Sequence, residues 1–231
     1  MLLMIIDHIG ALLLNNAICF RAIGRLSFPL FVFLLVDGFK RSHNLCSYAK
    51  RLLLFWIISI IPYSLAFYGD FFNPNQNIFL SLYIYLALYC ALDNPYIAYK
   101  TKTVLTIICA VLSNICKLSY GWYGVALAVI MYQYYQQEKN QTEAFYALLS
   151  VGTIYGIMNN SLLPVLAAFS MFLLSFNGRI PECKAPDKLT SYIFYLFYPI
   201  HLLFFCSSYL IFFLHFAYKK KTRKKVTKYV R

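Results

Sequence analysis

Charge is scarce in this chain, and acid is scarcest. Charged types make up 13% of its 231 residues, and only eight residues are Asp or Glu, where an ordinary soluble domain is about 25% charged. Hydrophobic types reach 61% and the mean hydropathy is +0.63. Too few polar residues remain to cover a packed core, so a soluble globular enzyme is excluded as the leading reading; disorder and a collagen-like chain fall with it. Familiar chemical signatures are missing too. The chain contains no P-loop, no Gly-rich dinucleotide turn, no H-E-x-x-H and no G-x-S-x-G, so hydride transfer, P-loop phosphoryl transfer and zinc hydrolysis lose support. None of its seven cysteines forms a C-x-x-C pair, and they read as small buried hydrophobes rather than a disulfide framework or a metal site. No internal repeat, low-complexity linker or domain boundary is visible.

What is present is long apolar runs. They predict an all-α, polytopic transmembrane helical bundle of about 8–10 spans, at roughly 20 apolar residues per crossing. Segments fall at about 1–20, 22–39, 52–68, 78–92, 103–116, 120–135, 144–158, 162–176 and 190–218. The first is read as a retained span, because it lacks a positive n-region and carries Asp7 and His8 where a signal peptide is purely apolar. Residues 1–218 form a single transmembrane domain and 219–231 a basic cytoplasmic tail. That tail, KKKTRKKVTKYVR, holds eight of the 21 Lys and Arg and no acid, leaving thirteen positive and eight negative charges, a net +5, for the body. Basic residues beside a final hydrophobic segment suit anionic lipid, and nothing else supports nucleic acid as a partner.

The basic loop 40–51, with Lys40, Arg41, Lys50 and Arg51, belongs on the cytoplasmic side. The loop 69–77, with Asp70 alone, belongs outside. Nine strict crossings would put the basic tail outside. An even count with both termini cytoplasmic fits the charges better, and Pro199 makes segment 190–218 the suspect for a hidden irregularity.

Ionisable groups within a span cost about 2.5–3.5 kcal/mol each to insert and are functional candidates by default. Asp7 and His8 are such a pair. A helix starting at Met1 would put His8 near the inner face, and adjacent helical residues diverge by about 100°, so Asp7 is not expected to orient His8. A base on the next segment is its expected partner. Arg21 and Arg25 share one face there by i, i+4 spacing, but the charge-derived topology puts them toward the outside, so the pairing requires re-entrant geometry or a deep cavity. His201, in an apolar run, reads more readily as structural than catalytic. His43 and His215 read as ordinary, and Asn77 as a cap or interhelical hydrogen bond. An intramembrane His, Asp and Arg near a basic face suits general-base acyl transfer to or from an anionic donor. A transporter or an assembly factor fits these residues nearly as well, although no inverted repeat marks a transporter.

The residues also carry a resemblance. IIDHIGALL, IGRLSFPLFVFLLVDGF, AKRLLLFWIISIIPYSLAFYGD and NIFLSLYIYLALY, followed by LSYGWYGVALAVIMY, LLSFNGR and YIFYLFYPIHLLFF, resemble consecutive blocks of the TraX family over about residues 5–206. The most specific pieces are the D-H pair, G-R-x-x-F-P, Y-G-x-Y-G and F-Y-P-x-H-L. The resemblance implies a multi-pass protein of the bacterial cytoplasmic (inner) membrane, akin to type 3 membrane acyltransferases. It also implies transfer of an acetyl group from acetyl-CoA, a co-substrate rather than a tightly bound cofactor, to the N-terminal amine of a pilin subunit. Carried over by motif, the catalytic set is His8 as base with Asp7 and Arg25. The binding set is Arg21, Asp37, Lys40, Arg41, Asn77, Tyr123, Arg179 and His201, with the CoA phosphates expected at the basic loop 40–51, where Lys40 and Arg41 are nearest the segment end; no metal is implied. Ile60 stands where the family tends to an acid, Leu80 where it tends to Thr, and Ser191 where it tends to Lys, with Lys188 nearby. These departures bear on the substrate. O-acetylation of an envelope glycan and a non-enzymatic role in pilus or envelope assembly are the competing expectations.

Overall fold

The computed structural model describes residues 1–14, 16–136, 140–175 and 192–207. Among them every regular element is helical, with no strand. The elements are α1 (Leu2–His8), continuing into a π-turn at Ile9–Leu13, α2 (Ile18–Gly24), α3 (Ser27–Arg41), α4 (Leu45–Tyr68), α5 (Ile78–Asp93), α6 (Tyr99–Ile115), α7 (Gly121–Tyr135) and α8 (Gln141–Met158). A 3₁₀ segment at Leu163–Phe169 leads into α9 (Ser170–Ser175), and α10 is Tyr192–Ser207.

Local chemistry sets several of these ends. The Asn44, Asn77 and Asn140 side chains each accept a hydrogen bond from a backbone N–H in the first turn of α4, α5 and α8, at 2.8, 3.1 and 2.9 Å, satisfying donors that a helix start leaves open. Gly69, at φ +73, ends α4 in the left-handed conformation, which glycine adopts without a Cβ penalty.

The first apolar segment is not one span. It breaks after Leu13, turns through Asn16 at φ 62, and returns antiparallel as α2, with Ala17 N–H donating to the Gly10 carbonyl at 3.1 Å. The two arms meet at glycines. A Cβ on Gly24 would lie 2.2 Å from Asp7 Cβ, and one on Gly10 would lie 2.6 Å from Phe20 Cβ. Only hydrogen at both positions permits this close a crossing. Within segment 190–218, where an irregularity was expected, the described residues form α10, which runs through Pro199 as one helix; the rest of that segment lies outside the described residues.

Among the described residues, two helices are long and apolar enough to cross a bilayer: Ile18–Arg41, taken through the bend at 25–26, and Leu45–Tyr68. Apolar side chains face outward as well as inward. Outward-facing α6 side chains are Val104, Ile107, Ile108, Val111, Leu112 and Ile115, whereas its one fully buried side chain is Ser113. That apolar stripe has ordinary helical spacing but faces away from the core. Within a mostly apolar interior, Ser59, Ser64, Ser81, Asn77, Asp37 and His8 are also buried, as are the large side chains of Tyr85, Tyr89 and Tyr123.

Hydrogen bonds gather the helix ends into two poles. At the first, Lys40 pairs with Asp93, Tyr132 Oη donates to Asp93 at 2.8 Å, and Tyr135 Oη donates to Asp37 at 2.9 Å. At the second, Gln76 N–H donates to the Lys117 carbonyl at 3.0 Å, and Ser119 Oγ donates to the Gln76 carbonyl at 2.8 Å.

Candidate functional site

A cavity of about 1140 Å³ runs through the bundle between these poles, slightly above the usual size for small-molecule sites. One stripe of α3 forms its long wall, through Ser27, Phe31, Leu34, Leu35, Gly38 and Arg41, spaced as one helical face. From Ser27 to Arg41 that wall is about 21 Å long at 1.5 Å per residue. Arg41, Ser42, His43 and Arg51 line the end beside the basic loop; Lys117, Ser119 and Ser161 line the other.

Asp7, His8, Arg21 and Arg25 are brought together in this cavity by the α1–α2 hairpin. Arg21 Nη1 donates to Asp7 Oδ2 at 2.7 Å, with both side chains largely buried. The re-entrant geometry that the sequence required for such a pair is the hairpin itself. Asp7 therefore faces Arg21, not His8. Its second oxygen, Oδ1, is buried without a hydrogen-bond partner, as is Arg25 Nε. The Arg25 guanidinium lies 5.7 Å from the centroid of the Tyr120 ring, within cation–π range. Tyr120 in turn stacks on Phe28 at 3.8 Å.

His8 is only 7% exposed, yet it lines the cavity. Its Nδ1 lies 2.7 Å from His201 Nε2, and His201 Nδ1 lies 2.7 Å from the Phe197 carbonyl oxygen. His8 is not near the end bearing the basic loop, where a helix starting at Met1 would have put it. Because α1 doubles back on α2, His8 packs against Phe67, at 5.3 Å between ring centroids, one residue from the far end of α4.

The remaining expected site residues divide. Asp37, Arg41 and Tyr123 line the cavity; Asp37 accepts from Arg41 Nε at 2.7 Å, and Tyr123 Oη donates to the Pro164 carbonyl at 3.1 Å. Lys40 is absent from the lining and is engaged with Asp93. Asn77 caps α5 and donates to the Trp56 carbonyl at 3.0 Å, away from this cavity. His201 stands behind His8 rather than in the lining. Arg179, Lys188, Ser191, His215 and the tail 219–231 lie outside the described residues, while Ile60 and Leu80 lie within α4 and α5.

Three residues that the sequence did not single out line the cavity. His43, exposed in the loop where it was expected, lines the basic end. Arg51 reaches the same end from α4, its Nε buried without a partner and its guanidinium 5.6 Å from the Tyr48 ring centroid. Tyr120 holds φ +69, a conformation costly for a bulky residue and found mainly where function over-determines it. The Y-G-W-Y-G run was its available signal. No cluster of metal-ligating side chains occurs among the described residues.

An apolar-faced helical bundle enclosing a cation-lined cavity, with a buried imidazole at one end, is the class that this fold and site define. A family model described as TraX protein matches residues 1–207; the chain belongs to the TraX family. A curated relative, named probable fimbrial assembly protein FimC, serogroup H1, from Dichelobacter nodosus, is 29% identical over 228 residues, covering 89% of this chain and 90% of the relative. No solved structure matches the chain.

Proposed function

We propose that this protein is a multi-pass acetyltransferase of the bacterial inner membrane, moving an acetyl group from acetyl-CoA to the N-terminal amine of a pilin subunit. The observation that carries the reading is His8: a buried imidazole on the wall of a largely apolar cavity that also holds arginines, with Nε2 making no hydrogen bond to a described residue. The outward apolar faces of α4, α6 and α8 support residence in lipid, and the basic loop 40–51 puts the Arg41 end on the cytoplasmic side. The family's implied activity and the relative's fimbrial name favour pilin as the acceptor.

In this mechanism the acceptor amine attacks the thioester carbonyl. A C–N bond forms, the C–S bond breaks, and His8 Nε2 takes the proton from the attacking nitrogen and returns one to the departing CoA thiolate. Arg25, with its open Nε, supplies a donor to the oxyanion. Arg51, whose Nε is open, receives the CoA phosphates. Lys40 and Arg41 are not needed for that role, because Asp93 and Asp37 already neutralise them. From Arg51 to Phe67 is about 24 Å along α4, and the long pantetheine arm of CoA separates phosphates from thioester in the same sense. The elongated cavity is compatible with an extended acyl-CoA.

The test uses purified full-length protein in detergent, radiolabelled acetyl-CoA and a pilin N-terminal peptide. The expected result is label on the peptide and a mass gain of one acetyl group at its α-amine. A protein that binds the peptide but transfers no label is an assembly factor, and a glycan that takes label in place of the peptide makes O-acetylation the activity.

A further inference from the structure

The hydrogen-bond chain behind His8 has a direction. A carbonyl oxygen can only accept, so the 2.7 Å contact between His201 Nδ1 and the Phe197 carbonyl fixes the proton on Nδ1. In neutral His201 that leaves Nε2 as an acceptor. The 2.7 Å contact to His8 Nδ1 then requires His8 to donate from Nδ1, which leaves His8 Nε2 as the bare lone pair. We infer that His201 is a positioning residue that locks His8 in the Nδ1–H tautomer and thereby aims its basic nitrogen into the cavity. The inference rests on the acetyltransferase reading for its kinetic consequence, but the tautomer stands on geometry alone.

The surroundings hold both rings in place. His201 stacks on Phe197 at 5.0 Å and 15° and meets Phe205 edge-on at 6.0 Å. His8 and His201 lie nearly parallel, at 9° between ring planes. The chain also ends at Phe197, because an amide carbonyl does not take the proton at these pH values. A proton gained at His8 Nε2 can strengthen the Nδ1–H bond to His201, but it has no exit on that side. It must leave by the face on which it arrived, toward the substrate. A carboxylate in the usual third position would hold imidazolium charge; a second imidazole instead sets the tautomer.

The experiment compares His201→Phe and His201→Gln by acetyl-transfer kinetics, alongside ¹⁵N NMR of histidine-labelled full-length protein. Glutamine can place its side-chain oxygen where Nε2 stood and accept from His8; phenylalanine keeps the ring volume without an acceptor. His201→Phe is expected to lower kcat about 100-fold with the KM for acetyl-CoA little changed, and His201→Gln to return most of that loss. The wild-type His8 resonances are expected in the Nδ1–H form, and those of His201→Phe as a tautomer mixture. Full activity in His201→Phe, or a His201→Gln variant no better than it, overturns the kinetic role. A wild-type His8 protonated at Nε2 overturns the lock. If wild-type protein transfers no acetyl group, the acetyltransferase reading falls and the NMR spectra still decide the tautomer.

Discussion

The two ends of the cavity treat charge in opposite ways. Beside the basic loop, Lys40 is paired with Asp93, Arg41 with Asp37, and both acids receive tyrosine hydroxyls as well. In the hairpin, one acid faces two arginines, and Asp7 Oδ1 and Arg25 Nε remain buried without partners. Buried polar groups are normally satisfied, so an open pair at one place needs a reason. Under the proposed function a ligand that completes the set supplies one: the satisfied pairs fasten helices together, and the unsatisfied ones are the proposed contacts of substrate. Arg51 belongs with the second kind despite its place at the first end, since its Nε is also open.

Substitutions can break this contrast, in descending order of effect. Gly24→Val inserts a side chain where even a Cβ would sit 2.2 Å from Asp7. It should cost about 3 kcal/mol or more, read as loss of folded protein in thermal unfolding in detergent. Asp7→Asn leaves Arg21 buried beside a neutral group and should destabilise by about 3 kcal/mol. Adding Arg21→Gln should restore over half of that, whereas two additive losses would show that the pair does not hold the hairpin. Arg25→Lys keeps the charge but not the fork, and should lower kcat about 100-fold with no change in thermal midpoint. Arg51→Ala should raise the KM for acetyl-CoA about 10-fold, the loss of one charge-assisted hydrogen bond of about 1.5 kcal/mol. Lys40→Ala, at a partly exposed pair, should change stability by about 0.5 kcal/mol and leave that KM alone. Equal effects of Arg51→Ala and Lys40→Ala on KM would erase the distinction between open and neutralised cations.

The sequence made the helical class legible because apolar runs announce helices whichever way they face. Segment 78–92 agrees with α5 almost to the residue, and Asp7 and His8 stand out because an ionisable group in an apolar run is rare. The expected divergence of these neighbours holds, since Asp7 turns to Arg21 and His8 to His201. The pairing of Asp7 with an arginine called for re-entrant geometry or a deep cavity, but the place where the chain turns back was not legible. An unbroken apolar run does not say where it doubles back, and the glycines that permit the crossing look like any others. Nor could spacing tell Lys40 from Arg51. Which cation is neutralised depends on Asp93, which the fold brings to Lys40 from 53 residues away. Tyr120 escaped notice for a similar reason, since its positive φ is a property of the turn and not of the residue.

The central claim is that a buried imidazole facing the cavity is the base of an acetyl transfer. The direct measurement is the single-turnover rate of acetyl transfer from labelled acetyl-CoA by wild-type protein and by His8→Gln, both purified and matched in thermal midpoint. The account predicts a loss of about 1000-fold in the variant. A His8→Gln protein that transfers acetyl groups at the wild-type rate would contradict it.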